Sequence, residues 1–230
     1  MGTGTGQGAT KLAQAFQHVA AFDRSPDMIA NATPMANVTY KVAEDTDLEK
    51  EMGPNSLDMV TVATAFHWFD HRAFFPLLKR VLKPNGTFAT WTYYLPLIKD
   101  QPVANAYLQQ QWTSGPLVTH SDPRLQHVIN LYRDYDFPFR TVQYYISPLD
   151  QDTTNVSHPH ALAMEKSFSL LHFADYLKTA SGYLNWKSDP ANRDCHDPVD
   201  AIVNHLSDLL HISVHDPVHF QWPLVLVLCR

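Results

Sequence analysis

Cysteine is nearly absent. Cys195 and Cys229 are the only two in 230 residues, too few for a disulfide framework, and such a chain is expected in a reducing, cytoplasmic compartment. Long apolar runs are missing too. The longest clean stretch, Trp222–Cys229, has eight residues and includes a proline, far short of the roughly 20 needed to span a bilayer. No cationic-then-apolar leader precedes the first motif, so no secretory signal is expected. Gly6 stands where a Met-Gly myristoylation pattern needs Ser or Thr. Positive charge is scarce: 17 Lys+Arg face 23 Asp+Glu, for a net charge of −6, without a basic run. This argues against nucleic acid as a partner, and no membrane partner is expected either. At 45% hydrophobic and 17% charged, the chain can bury a sizeable core and is not disordered. The length admits one or two domains, a single enlarged α/β domain being the economical reading.

Glycine is sparse, eight in all, yet Gly2, Gly4, Gly6 and Gly8 fall within the first eight residues. Alternate glycines let a backbone turn with positive φ and approach a ligand closely. The spacing of Leu12, Ala13, Ala15 and Phe16 predicts a helix over 9–16, so the loop opens a helix N-terminus. A short strand over 18–22 follows and ends in Asp23. An acid there, about twenty residues after a glycine loop, is placed to accept hydrogen bonds from two ribose hydroxyls. The nucleotide is left open by this. Gly4, Gly6 and Ala9 satisfy the looser dinucleotide fingerprint G-x-G-x-x-A, and Tyr183 and Lys187 form a Tyr-x-x-x-Lys pair of the short-chain dehydrogenase type. Thr10 occupies the last glycine of the dehydrogenase loop, and Tyr and Lys four apart on a helix are ordinary surface neighbours.

A strand is predicted over 38–43, then a buried parallel strand over 57–65. Asp70 is placed to cap a helix running to Leu82, kinked or begun late at Pro76. Lys83-Pro84-Asn85-Gly86 reads as a stop and turn before a strand over 87–94. Strands alternating with helices predict an α/β fold with a mostly parallel sheet.

The run from Gly2 to Gln7, FDRSPDMI (22–29), AFHWFD (65–70) and LKRVLKPNG (78–86) resemble the class I S-adenosylmethionine-dependent methyltransferases. FATWTYYLP (88–96), the aromatic segment 176–186 and the ending WPLVLVLCR resemble the trans-aconitate 3-methyltransferase branch. The resemblance implies a Rossmann-like, seven-stranded sheet with helices on both faces and a helical substrate cap. Residues 1–95 would be the S-adenosylmethionine-binding core, and 96–230 the cap plus the strands that complete the sheet. It also implies that Gly2, Thr3, Gly4, Gly6 and Gln7 lie along the methionine part of the cofactor. Asp23 would hold the ribose, with Met28 near the adenine and Ala43 and Glu44 at its edge. Ala65, His67 and Trp68 would lie near the transferring methyl group. Many relatives carry an Asp before the alanine; here Val42 stands there, so Glu44, Asp45 or a backbone carbonyl must serve.

In this family a hydrophobic strand ending in an acid precedes the glycine loop and occupies the sheet centre. The chain starts within the motif, so that first strand is expected to be missing. Each buried backbone group left unpaired costs about 1–3 kcal/mol, against a total stability of about 5–15 kcal/mol.

Beyond residue 96, helices are predicted over 103–112, 125–135, 163–186 and 198–210, with strands over 141–146 and 220–229 and a loop at Ser157–His160. Trp112, Tyr183 and Trp186 are candidate substrate-pocket residues, with core packing as the plainer alternative. His211, His215 and His219 are spaced by four, but Pro217 interrupts them and no fourth ligand is in sight, so no metal is expected. His67 is the single candidate catalytic residue, chiefly through proximity. No acid–base pair, nucleophile triad or Asn/Asp-Pro-Pro-Tyr/Phe motif stands out. That favours a small-molecule carboxylic acid, already anionic, as the O-methylation acceptor, with Arg72, Arg133, Arg140 or Lys178 as candidate partners for its charge. The rival readings are a nicotinamide oxidoreductase and a truncated, inactive methyltransferase-like protein.

Overall fold

The computed structural model describes residues 1–147 and 164–230; the expected loop at Ser157–His160 lies outside them. The first 93 residues run α1 (Gln7–Leu12), β1 (Val19–Asp23), α2 (Pro26–Ala30), β2 (Val38–Val42), α3 (Leu48–Met52), β3 (Leu57–Ala63), α4 (His71–Val81) and β4 (Leu82–Tyr93). The expected alternation is present, and its punctuation has chemical causes. Asp70 caps α4 by accepting from the amides of Arg72 and Ala73. Ser25 caps α2 through Met28 N, with Pro26 at the first helical position. Pro76 sits inside α4 without ending it, because Phe74, Leu78 and Val81 are fully buried and hold the helix down. The helix stops at Val81 as expected, but Lys83–Gly86 is a bulge rather than a turn. The β3 pairing jumps from Leu57–Leu82 to Met59–Thr87, with Asn85 at φ +65°.

The later elements are β5 (Leu97–Ile98), α5 (Pro102–Ser114), α6 (Pro116–Thr119), α7 (Leu125–Ile129), β6 (Val142–Ser147), β7 (Glu165–Ser169), α8 (Leu170–Lys178), α9 (Ser181–Ser188), α10 (Pro198–Leu210), β8 (Pro217–Gln221) and β9 (Leu224–Cys229). Three expectations are corrected here. The helix over 163–186 is a strand and two helices: Glu165–Ser169 pairs with β8, Ser169 caps α8, and the chain breaks at Thr179–Ala180. The strand over 220–229 is two, parted at Trp222–Pro223, where proline cannot continue a ladder. The helix over 125–135 stops at Ile129, because Leu131 and Tyr132 take φ of +50° and +57°.

The single seven-stranded sheet of the expectation is also corrected. β1 pairs parallel with β2 alone; β3, β4, β9 and β6 form a second sheet, and β5, β8 and β7 a third. Only the β3–β4 pair of the second sheet is parallel; β9 lies antiparallel to both β4 and β6. Among the described residues no strand lies between β1 and β3. A cleft of about 670 Å3 runs there, bounded by Val19, Ala20 and Phe22 on one side and Met59, Val60 and Thr61 on the other. The start of the chain crosses one end of it. The Met1 ammonium donates to Thr61 O at 2.9 Å, and Thr3 N donates to Phe22 O at 2.9 Å.

Two apolar cores result. One lies under the β3–β4–β9–β6 sheet and includes Val62, Phe66, Phe88, Tyr132 and Val227. The other joins β8 to the helices α5, α8, α9 and α10 through Leu108, Trp112, Phe173, Ile202 and Phe220. Tyr94 packs against both, and its hydroxyl donates to Trp112 O at 2.9 Å. Phe220 is fully buried, stacked on Phe168 at 4.6 Å and tilted against Phe173 at 4.5 Å. Phe220→Ala is expected to destabilise the protein by about 3–5 kcal/mol in urea unfolding. Leu184→Ala, at a side chain 55% exposed, should cost far less.

Candidate active site

The C-terminal ends of β1, β2 and β3 all open on one cavity of about 370 Å3. Open α/β sheets place ligands at this end of their strands. Four stretches form its walls: the glycine loop, Asp23 to Met28, Ala43 to Asp45, and Ala63 to Phe69.

The glycine loop needs its glycines. Gly2 has φ +63°, and a Cβ there would lie 2.6 Å from the Ala65 Cβ, so the loop touches the end of β3 backbone-first. Gly6, at φ +92°, caps α1 and presses on the Tyr40 ring. Asp23 fixes both sides of the cavity. Its Oδ2 accepts from Gly4 N at 2.7 Å and its Oδ1 from Ser25 N at 3.0 Å. A carboxylate has about four lone-pair sites, so two remain for a diol. Glu44 and Asp45 both line the cavity but are committed. Glu44 shares a reciprocal capping box with Asp47, and Asp45 Oδ2 accepts from Asp70 N at 3.1 Å.

The β3 end is bent by Thr64, a β-branched residue at φ +49° whose amide donates to Trp91 O at 2.8 Å. Such a conformation costs on the order of 1–3 kcal/mol and tends to gather at functional sites. It leads directly into Ala65 and the 3-10 turn Phe66–Trp68. Trp68, 38% exposed, lines the cavity. The Arg124 guanidinium lies over its ring at 4.5 Å and grips Asp122 through Nε and Nη2 at 2.9 and 2.8 Å. That grip holds the Asp122 carboxyl down at about 2.

Of the sequence-predicted residues, Gly2, Gly4, Asp23, Met28, Ala43, Glu44, Ala65 and Trp68 line this cavity. Thr3 and Gln7 line an adjoining one of about 620 Å3, with Trp91 and Tyr93. Gly6 supports the loop from behind. His67 faces away from the main cavity, 5% exposed, with Nδ1 3.0 Å from Tyr132 Oη. Trp112, Tyr183 and Trp186 are built into the second core instead of a pocket wall. Trp112 Nε1 donates to Pro96 O at 2.9 Å, and the Tyr183 hydroxyl to Asp197 Oδ2 at 2.7 Å. Lys178 is taken up by Asp200 at 2.7 Å, while Arg72 and Arg140 are exposed. His211 ends α10, whereas His219 sits in β8 against Ser167 and Glu165. Sequence reasoning missed Thr64, Phe69, Arg124 and Tyr132. Position just past β3 could have flagged the first two; nothing local marks the others.

Burial pushes His67 down to about 4, so the ring is neutral at pH 7. Unfolding returns it to its ordinary range near 6.5, and the unfolded chain then takes up a proton that the folded one refuses. The contribution is whole above pH 6.5 and is lost as pH falls towards 4. We expect a loss of about 2 kcal/mol, less than the full shift because water screens part of it. Urea unfolding between pH 7 and 4 should show this limb, flattened in His67→Gln.

S-adenosylmethionine fits the cavity on its chemistry: a carboxylate with spare lone pairs for a ribose diol, exposed Met28 and Trp68 for flat apolar surface, and an acidic lining (Asp23, Glu44 and Asp45) that suits a ligand carrying positive charge. Its volume is within the roughly 300–1,000 Å3 of ligand sites. Comparison with known proteins points to the same cofactor. Residues 1–90 match the methyltransferase domain family. A proposed S-adenosylmethionine-dependent methyltransferase of Saccharomyces cerevisiae is 25% identical, over 100% of this chain and 84% of its own length. A proposed methyltransferase of Dictyostelium discoideum is 28% identical, over 80% of this chain and 63% of its own length. A solved structure of a proposed type II methyltransferase from Anaeromyxobacter dehalogenans superposes with a TM-score of 0.76 at 28% identity, over 100% of this chain and 87% of that one. In its glycine loop, the acid that ends β1 and the strand ends that carry them the chain resembles the class I S-adenosylmethionine-dependent methyltransferases, and it is an S-adenosylmethionine-dependent methyltransferase with S-adenosylmethionine as its cofactor.

Proposed function

We propose that the chain methylates a carboxylate oxygen of a small organic acid, with trans-aconitate as the first candidate. The observation that carries this reading is the state of His67. It lies outside the cavity lining, its Nδ1 is engaged by Tyr132 and burial weakens it as a base, and among the described residues no other imidazole lines the cavity. A phenol or an amine often needs deprotonation before it can attack; a carboxylate does not.

S-adenosylmethionine supplies an activated methyl group on a sulfonium when bound. The protein's part is alignment and exclusion of water. Gly2 and Gly4 bring backbone close to the ligand, Asp23 anchors the ribose, and Trp68 with Phe69 closes the wall. Incubation with tritium-labelled S-adenosylmethionine and a panel of di- and tricarboxylic acids should give a product that releases labelled methanol in mild base. Label that survives base, as on an amine or phenol, would overturn the carboxylate reading.

The open cleft between β1 and β3 supports a second reading, that catalysis requires a strand seated there to complete the sheet. S-adenosylhomocysteine at 100 times its dissociation constant contributes about 2.7 kcal/mol, which for a chain of this size is about 5–10 °C in Tm. A cooperative transition raised by that amount means that the site is complete without the strand. A broad, unshifted transition that sharpens when an apolar strand is added ahead of Met1 favours the second reading.

A further inference from the structure

The cavity of about 620 Å3 that adjoins the cofactor cavity shares Met1, Gly2, Gly4, Ala63 and Thr64 with it. Gly2 and Gly4 bring no side chain to that boundary, so backbone alone separates the two spaces there. Thr64, bent to φ +49°, lines both, and its amide ties the boundary to β4 through Trp91 O at 2.8 Å.

The two linings differ in charge. The cofactor cavity carries Asp23, Glu44 and Asp45 against Arg24. Among the described residues the second cavity has no Asp or Glu, and Lys11 is its one charged side chain. Gln7 and Lys11 stand four apart on α1 and share a face. Trp91 and Tyr93, two apart on β4, share a face of their strand. Among the described residues the Lys11 ammonium, the Gln7 amide, Trp91 Nε1 and Tyr93 Oη have neither a hydrogen bond nor an ion pair, and none of them is sealed from solvent. All four groups can donate, and two of them sit on aromatic rings. Such a lining suits a flat, oxygen-rich anion.

We propose that this second cavity is the acceptor site, built for a small unsaturated di- or tricarboxylate. Lys11 and Gln7 hold a carboxylate that is not methylated, and Trp91 and Tyr93 flank the carbon frame. The reacting carboxylate then lies at the Gly2–Gly4 boundary. This rests on the carboxylate reading above and gives it a site. Transfer forms the O–C bond and breaks the S–C bond, whose electron pair stays on sulfur; no proton moves. None of Gln7, Lys11, Trp91 and Tyr93 lines the cleft between β1 and β3, so a strand seated in that cleft does not take their place.

Trp91 gives the direct readout. Its indole N–H signal, assigned by its loss in Trp91→Phe, should move when trans-aconitate is titrated into the S-adenosylhomocysteine complex. In Lys11→Met it should stay in place at the same concentrations. Kinetics give the second readout. Lys11→Met should raise the KM for trans-aconitate about tenfold, with kcat and S-adenosylhomocysteine affinity unchanged within about twofold. Lys11→Arg, which keeps the charge, should recover most of the loss. The wild-type KM should rise with salt and the Lys11→Met value should not, because salt screens an exposed charge. A stationary Trp91 signal in wild type, or a wild-type KM in Lys11→Met, overturns the proposal. A loss of S-adenosylhomocysteine affinity that matches the rise in KM assigns the cavity to the methionine end of the cofactor, and overturns it too. The two readings fail separately. Methyl ester formed while Trp91 stays still keeps the carboxylate reading and ends this one. A Trp91 shift without methyl ester keeps the cavity as a polycarboxylate site and ends the carboxylate reading.

Discussion

One carboxylate bonded on two sides is what the site depends on. Asp23 receives Gly4 N through one oxygen and Ser25 N through the other, so the loop before β1 and the turn after it are referred to the same side chain. Hydrogen bonds to an ionised acceptor are about twice as strong as neutral ones. Thr3 N on Phe22 O and Gly2 against Ala65 complete the fixation. The glycine loop is thus held between the ends of β1 and β3, and the walls on either side take their spacing from it.

The wall beyond β3 depends on rings. Phe66 is fully buried, with Phe137 stacked at 5.7 Å, Tyr135 edge-on at 5.1 Å and Tyr132 edge-on at 5.7 Å. Such contacts contribute about 0.5–1.5 kcal/mol each beyond area burial. They join a turn in the first 70 residues to a segment past 130. The division into a cofactor core and a separate cap is therefore incomplete, because the 122–139 segment buttresses the cofactor wall from below.

What was legible in the sequence is what is decided locally. The glycine loop, Asp23, the Asp70 cap and the buried strand before Phe66 each announce themselves within a few residues. The error over 163–186 arose because Glu165–Ser169 becomes a strand only through its partner β8, about fifty residues away. Trp112, Tyr183 and Trp186 misled for a related reason: an aromatic side chain fills a core as readily as it lines a pocket, and their bonds to Pro96 and Asp197 show which occurred. The bent backbones at Thr64 and Tyr132 leave no trace in residue type, since neither is the glycine or asparagine that usually signals positive φ.

The separation of β1 from β3 carries a consequence for main-chain pairing. Each strand presents an unpaired ladder edge, and Val60 and Phe22 beside those edges are buried and apolar. Natural sheets blunt exposed edges with charge, proline or bulges; β1 and β3 carry one acid each, Asp23 and Asp58, near their ends and otherwise no charge or proline. Facing edges of this kind are a template for an extended segment, and any strand that meets them is held by main-chain hydrogen bonds on both sides.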